Sequence, residues 1–332
     1  MADLSNMRVL LTGGAGLIGS ALLRELNRHG STDVTVADFL GDEDRKWRHL
    51  RPLQFADYLE ADDLLDRLAA GDLGTFDLVL HMGACSSTTE KDAAYLIRNN
   101  FEYTKELAEW SDTTGARFVY ASSAATYGSG ENGMSDDSSL DYLRMLRPLN
   151  MYGYSKHLYD LYAAQNGLLE TSVGLKYFNV FGPNEDHKGD MRSVVNKAVE
   201  QITETGSLRL FKSYRDDYEH GEQQRDFLYV KHAAKMTLHL AASDAIGLFN
   251  IGSGVAHTWN ELASATFSAL GKPQRIEYIE MPEEMRSKYQ YYTKADITRL
   301  LDTGYPAADD TFRADVTEYV CDYLVPGKAL GE

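Results

Sequence analysis

Residues Arg8 to Asp38 read RVLLTGGAGLIGSALLRELNRHGSTDVTVAD, and this stretch decides the fold. Arg8 to Leu11 is a short apolar run that predicts a strand. A glycine-rich turn follows at once, and Gly19 to His29 places Leu22, Leu23 and Leu26 on one face of a predicted helix. Val34 to Ala37 is a second β-like run, closed by Asp38. Gly13, Gly16 and Gly19 sit between strand and helix, where a backbone without Cβ atoms lets a pyrophosphate reach the free N–H groups and partial positive charge of the helix N-terminus. Asp38, about 20 residues further on, stands where an acidic side chain binds an adenosine ribose. Together they predict a dinucleotide site, against the alternative of a turn that holds no ligand.

The same alternation continues through FDLVLH (Phe76 to His81), RFVYA (Arg117 to Ala121), SVGLKY (Ser172 to Tyr177) and LFNI (Leu248 to Ile251). Short strands apolar along most of their length, separated by helical segments, predict an α/β fold: a Rossmann-type, doubly wound parallel sheet covered on both faces. After Val180 the pattern breaks into a polar stretch that includes YRDDYEHGEQQ, and from Val255 helices mix with short extended pieces. The expected division is a dinucleotide-binding domain over 1–178 plus about 228–252, and a smaller α/β substrate domain over 179–227 and 253–332. The cleft between them is the expected site.

The 332 residues, 43% hydrophobic and 25% charged, describe a chain with enough apolar surface to fold. A formal net charge of −17 repels phosphate backbones, which argues against nucleic-acid and anionic-membrane partners. Any phosphate must therefore be held locally. The two cysteines, Cys85 and Cys321, are far apart and fit neither a disulfide framework nor a metal site, so no metal is expected. No stretch approaches a membrane span, and the reading is a cytoplasmic protein.

Tyr152 and Lys156 are four residues apart in the helical pattern MYGYSKHLYDLYA and so share a face. A nearby ammonium favours phenolate, which predicts a tyrosine acting as acid and base with its pKa lowered from about 10. Ser123, ending the run YASS, is placed to hydrogen-bond the reacting oxygen. For the dinucleotide, Asp38 favours NAD, because a carboxylate repels a 2′-phosphate, whereas Lys46 beside Arg45 and Arg48 favours NADP. From these residues alone both remain open.

These features, with HMGACSSTTE (81–90), RNNFEYTKEL (98–107), YASSAATYG (120–128), PLNMYGYSK (148–156), KYFNVFGPNEDHKGDM (176–191) and RDFLYV (225–230), resemble the extended short-chain dehydrogenase/reductase family of nucleotide-sugar enzymes. The longer strings resemble its ADP-heptose epimerase branch over nearly the whole chain. That resemblance implies an isomerase of carbohydrate metabolism that inverts C6 of an ADP-linked manno-heptose, a precursor of the lipopolysaccharide core, with NADP preferred and NAD possible. It also implies a homo-oligomer.

Laid on individual positions, the resemblance assigns Tyr152 and Lys188 as the two proton-transferring residues, with Ser123 beside them. It assigns Leu17, Ile18, Asp38, Phe39, Lys46, Met82, Gly83, Ala84, Cys85, Ser86, Asn99, Lys156 and Val180, with the three glycines, to the cofactor. Asn179, Asp190, Lys197, Phe211, Lys212, Ser213, Tyr214, Arg225 and Tyr289 fall to the substrate. The chain departs from the family pattern at Asp190, Lys197, His232 and Ala61, and in a longer loop between Phe211 and Arg225. A UDP-hexose 4-epimerase would share the glycine turn, Ser123, Tyr152 and Lys156 but has no use for GACSSTTE and DHKG. A 4,6-dehydratase would need an Asp-Glu pair where Ala124 and Ala125 stand. A non-catalytic dinucleotide-binding protein would not need Tyr152 and Lys156.

Overall fold

In the computed structural model, which describes residues 3–41, 45–286 and 289–332, the first strand already shows why the sheet is buried on both sides. Within β1 (Val9–Thr12), Val9 and Leu11 face one apolar cluster and Leu10 faces another, as the two-residue period of a strand dictates. The next strands in chain order are β2 (Val34–Asp38), β3 (Asp57–Glu60), β4 (Leu78–His81), β5 (Arg117–Ser123) and β6 (Val173–Tyr177). They are followed by β7 (Asn179–Phe181), β8 (Leu208–Phe211), β9 (Gln224–Tyr229), β10 (Gly247–Ile251), β11 (Ala256–Thr258) and β12 (Ile276–Ile279).

Seven of these form one sheet in the order β10-β6-β5-β4-β1-β2-β3, with every pairing parallel. The chain runs outward from β1 to β3 and then returns to the other side of β1 as β4. This reversal opens a crevice at the carboxyl ends of β1 and β4, the usual ligand position in such sheets. On one face the helix Leu17–Arg28 packs against the helix Val230–Ala241, burying Leu22, Leu23 and Leu26. The expected doubly wound parallel sheet is therefore present. Strand β3 lies outside the expected runs: it is an edge strand in which only Leu59 is buried, so its sequence DYLE carries almost no apolar signal.

The remaining strands make two small sheets, β11-β9-β7 and β12-β8, beside the main one. The first packs on Phe181, Phe227, Tyr229, Leu262, Phe312 and Tyr319, the second on Leu208, Leu210, Ala263 and Phe267. Asp226 in β9 ties the parts together. Its carboxylate accepts hydrogen bonds from the Ser253 amide at 2.7 Å, the Gly254 amide at 3.0 Å and the Ala295 amide at 3.0 Å. The chain after β12 returns to the main sheet, where Ala295 and Leu300 join its apolar clusters. Among the described residues, no helix is long and apolar enough to cross a membrane.

The helix Met151–Gln165 buries a polar face. Asn150 caps it, its side chain accepting the Gly153 amide at 2.8 Å. Asp160 lies one turn beyond Lys156 and pairs with Lys176 of β6 at 2.6 Å, both side chains fully buried. The same carboxylate accepts the Tyr120 hydroxyl at 2.9 Å and the Ser122 hydroxyl at 2.8 Å. Removing one partner leaves a buried, uncompensated charge. Lys176→Met should therefore cost about 3–5 kcal/mol of stability in urea denaturation; an unchanged midpoint would show that Asp160 needs no cation.

Candidate active site

The glycine turn after β1 is held by contacts that no larger residue permits. A Cβ on Gly19 would lie 2.0 Å from the Gly13 carbonyl oxygen, so the helix Leu17–Arg28 starts in backbone contact with the turn. Gly13 has φ +67°, and a Cβ there would meet the Gly83 backbone at 2.7 Å. Gly16 differs, because its Cβ would meet only the Gly13 carbonyl oxygen, at 3.2 Å. It lines a cavity of about 690 Å³, and no side chain caps the helix that follows it. Bare backbone facing a cavity at an uncapped helix N-terminus fits a pyrophosphate.

Asp38 ends β2 at the rim of the same cavity. Its carboxylate accepts the Ala15 amide at 2.8 Å, the Phe39 amide at 2.7 Å and the Lys46 ammonium at 2.5 Å. Opposite, the segment after β4 is fixed from below. Thr12 Oγ1 accepts the Gly83 amide at 3.0 Å and lies 2.7 Å from His81 Nδ1, while His81 Nε2 lies 2.9 Å from Thr104 Oγ1. Burial pushes the His81 pKa well down, so the ring is neutral. A π-helical turn over Ile97–Glu102 then points Asn100 inward. Asn100 receives the Cys85 amide at 2.8 Å and donates to the Cys85 carbonyl and the Ser155 hydroxyl, both at 3.0 Å.

Ser123 and Tyr152 line the cavity beside Lys156. The Ser123 oxygen accepts the Ala125 amide at 3.1 Å, so it serves the backbone as well as the cavity. The lowered Tyr152 pKa expected from the sequence is not found in the protein's own environment. Burial pushes it upward, and the hydrogen bond from Ser123 only partly opposes this. Lys156 donates to the Ala121 carbonyl at 2.8 Å and is itself pushed down to about 8 by burial, with the Asp160 charge working the other way. Across the cavity, burial lowers the Lys188 pKa, against the opposing charge of Glu185. Gly189, at φ 52° and ψ −123°, turns the chain sharply after Lys188 in a conformation open only to glycine.

Every residue assigned to the cofactor from the sequence lines this cavity, as do Ser123, Tyr152, Lys188, Asn179, Asp190 and Lys197. The other substrate residues do not line it. Lys212 and Tyr214 are drawn to Glu280, Lys212 at 2.6 Å, and the Ser213 amide bonds His220 at 3.0 Å. Phe211 ends β8 in the small sheet. Arg225 is buried between Trp259 and Tyr289, its guanidinium 5.6 Å and 5.2 Å from the two rings. Trp259 lines the cavity and donates to the Tyr289 hydroxyl at 2.9 Å, so this cluster abuts the site from behind. Sequence reading misses Trp259, Tyr103 and Thr88 as lining residues; nothing in their spacing marks them.

Residues 9–252 match the model of the NAD dependent epimerase/dehydratase family. The chain belongs to that family. A protein of Nitratidesulfovibrio vulgaris strain DP4 named ADP-L-glycero-D-manno-heptose-6-epimerase is 48% identical over 95% of this chain and 97% of its own. A protein of the same name from Fusobacterium nucleatum is 42% identical over 95% of this chain and 98% of its own. Among solved structures, the Helicobacter pylori ADP-L-glycero-D-manno-heptose-6-epimerase superposes with a TM-score of 0.79, at 26% identity and 96% coverage of both chains. The Thermus thermophilus UDP-glucose 4-epimerase in complex with NAD gives 0.76 at 25% identity, covering 97% of this chain and 100% of that one. The cofactor is a nicotinamide dinucleotide, and the cradle at Gly16 fits it.

The Lys156 shift carries a sign that can be measured. With its folded pKa near 8 and an unfolded value of about 10.4, the charged lysine weakens the fold below pH 8 and no longer does so above its unfolded pKa. Relative to the wild type, Lys156→Met should therefore be favoured most near pH 7, with the gap closing as pH rises from about 8 to above 10. A pH-independent gap in chemical denaturation would show that Lys156 is charged throughout.

Proposed function

We propose that this enzyme converts ADP-D-glycero-β-D-manno-heptose to its L-glycero epimer by inverting C6 through transient oxidation. The observation that carries this reading is that Tyr152 and Lys188, two side chains able to give and take a proton, line one cavity from separate elements. The two relatives at 48% and 42% identity bear the name of that activity, whereas the Thermus thermophilus UDP-glucose 4-epimerase is 25% identical.

The chemistry needs both groups. The C6–H bond breaks as hydride leaves, and the hydroxyl proton passes to a base, giving a 6-ketone. Hydride then returns to the opposite face, and the oxygen takes up a proton in its new orientation. One oxygen in two orientations calls for one donor or acceptor at each. A nicotinamide held in the cavity lined by Lys156 and the glycine turn would supply the hydride acceptor and donor, and its positive charge would favour phenolate at Tyr152, counteracting the effect of burial. Lys188, desolvated, holds its proton less tightly than a surface lysine and gives it up more readily. Asp190 and Lys197 supply polar groups at the sugar end; Lys197 donates to the Asp190 carbonyl at 3.2 Å.

NADP is the proposed form of the cofactor. The 2.5 Å contact from Lys46 offsets the Asp38 carboxylate that would otherwise repel a 2′-phosphate, and Lys46 and Asp38 both line the cavity. Mass spectrometry of the denatured protein's extract identifies the dinucleotide directly.

Tyr152→Phe and Lys188→Met should each lower epimer interconversion by about 10²- to 10⁴-fold while the dinucleotide stays bound. Proton NMR of the two C6 epimers reads the rate. Full activity in either variant removes that residue from the mechanism.

A further inference from the structure

The short helix Lys46–Leu50 touches both ends of the site. Lys46 bonds Asp38, and Arg45 just before the helix donates to the Asp186 carbonyl at 2.8 Å. His49, 2% exposed, bridges the two sides: its Nδ1 lies 2.7 Å from the Ala15 carbonyl in the glycine turn, and its Nε2 lies 2.7 Å from Asp186 Oδ1.

A carbonyl oxygen only accepts, so Nδ1 carries a proton and donates to Ala15, while Nε2 faces the Asp186 carboxylate. His49, Asp186 and His187 lie close enough to suggest a metal site, with ligand atoms within 4.8 Å of one another. With Nδ1 turned to Ala15 and Nε2 to Asp186, both His49 nitrogens are already committed to protein partners. His187 is edge-on to His49 at 5.3 Å and is kept neutral, its pKa pushed down to about 3 by burial and then by the cations around it.

Asp186 opens the 3₁₀ turn that carries Lys188, just before the kink at Gly189, and the Lys188 amide bonds the Glu185 carbonyl at 3.0 Å. Glu185 is anchored in turn by the Ser193 amide at 2.5 Å and the Tyr319 hydroxyl at 2.8 Å. A continuous path thus runs from the backbone of the dinucleotide cradle, through His49 and Asp186, to Lys188.

We propose that His49 is a positioning residue for Lys188: bridging Ala15 and Asp186, it clips the segment bearing the second proton donor to the backbone of the dinucleotide turn. This inference rests on the epimerase reading above, in which Lys188 serves one orientation of the C6 oxygen and Tyr152 the other. A clip on the Lys188 side affects the two orientations unequally, which a general weakening of the fold does not.

The experiment compares His49→Gln, Asp186→Asn and the double variant with Lys188→Met and Tyr152→Phe, all as purified holoenzyme. Each C6 epimer is mixed separately with enzyme, and the appearance of reduced cofactor is followed together with overall epimerisation. His49→Gln and Asp186→Asn should each slow epimerisation about 10- to 100-fold, as a displaced reacting group does. Both should retain the dinucleotide and share the epimer bias of Lys188→Met, opposite to that of Tyr152→Phe. The double variant should be no slower than the slower single one, because both changes remove one interaction. Equal slowing of both epimers, additive losses or wild-type rates would overturn the proposal. If His49→Gln does not fold, Asp186→Asn, at a half-exposed side chain, carries the same expectation. A wild type that interconverts no epimers defeats the epimerase reading itself; an active wild type and an inactive Lys188→Met beside a full-speed His49→Gln defeat only the clip.

Discussion

The close approach of backbone to backbone at Gly13, Gly19 and Gly83 is the constraint on which the rest of the site depends. With the start of the helix Leu17–Arg28 pressed onto the Gly13 carbonyl, no side chain caps its first turn, and its free amides open on the cavity. The same turn supplies the Ala15 amide that Asp38 accepts and the Ala15 carbonyl that His49 grips. One loop of glycines therefore sets the uncapped helix start, the position of Asp38 and the anchor of the segment that bears Lys188. Any residue bulky enough to separate helix from turn would move all three.

A second theme is the use of burial to tune groups in opposite directions. Desolvation disfavours whichever form is charged, so it raises Tyr152 and lowers Lys156 and Lys188. Tyr152 and Lys188, the groups proposed to exchange protons, are thereby held nearer their neutral forms than free side chains would be. The fully buried Lys176–Asp160 pair beneath them is different: its charges are matched and hydrogen-bonded, and it ties the end of β5 to the helix Met151–Gln165.

Much of the architecture was legible because it rests on local rules. A strand, a glycine turn, an amphipathic helix and an acid at the next strand end are all contiguous in Arg8 to Asp38, and the helical spacing of Tyr152 and Lys156 needs no tertiary knowledge. What escaped depends on contacts between distant segments. Asn99 and Asn100 are adjacent and chemically identical, and only the π-helical turn decides that Asn100 points inward onto Cys85. His49 lies in a stretch that reads as a charged surface helix, and its burial comes from Asp186, 137 residues away. Lys212 and Tyr214 look like ligand-binding groups in sequence, yet Glu280, from another strand's end, holds them outside the cavity.

The central claim is that one site removes hydride from C6 and returns it to the other face. Substrate deuterated at C6 tests it most directly, incubated with purified protein and no added cofactor, with both epimers followed by NMR. The account predicts L-glycero product that keeps its deuterium at C6. Product whose C6 carries hydrogen from solvent would mean that C6 is inverted by deprotonation, and would contradict it.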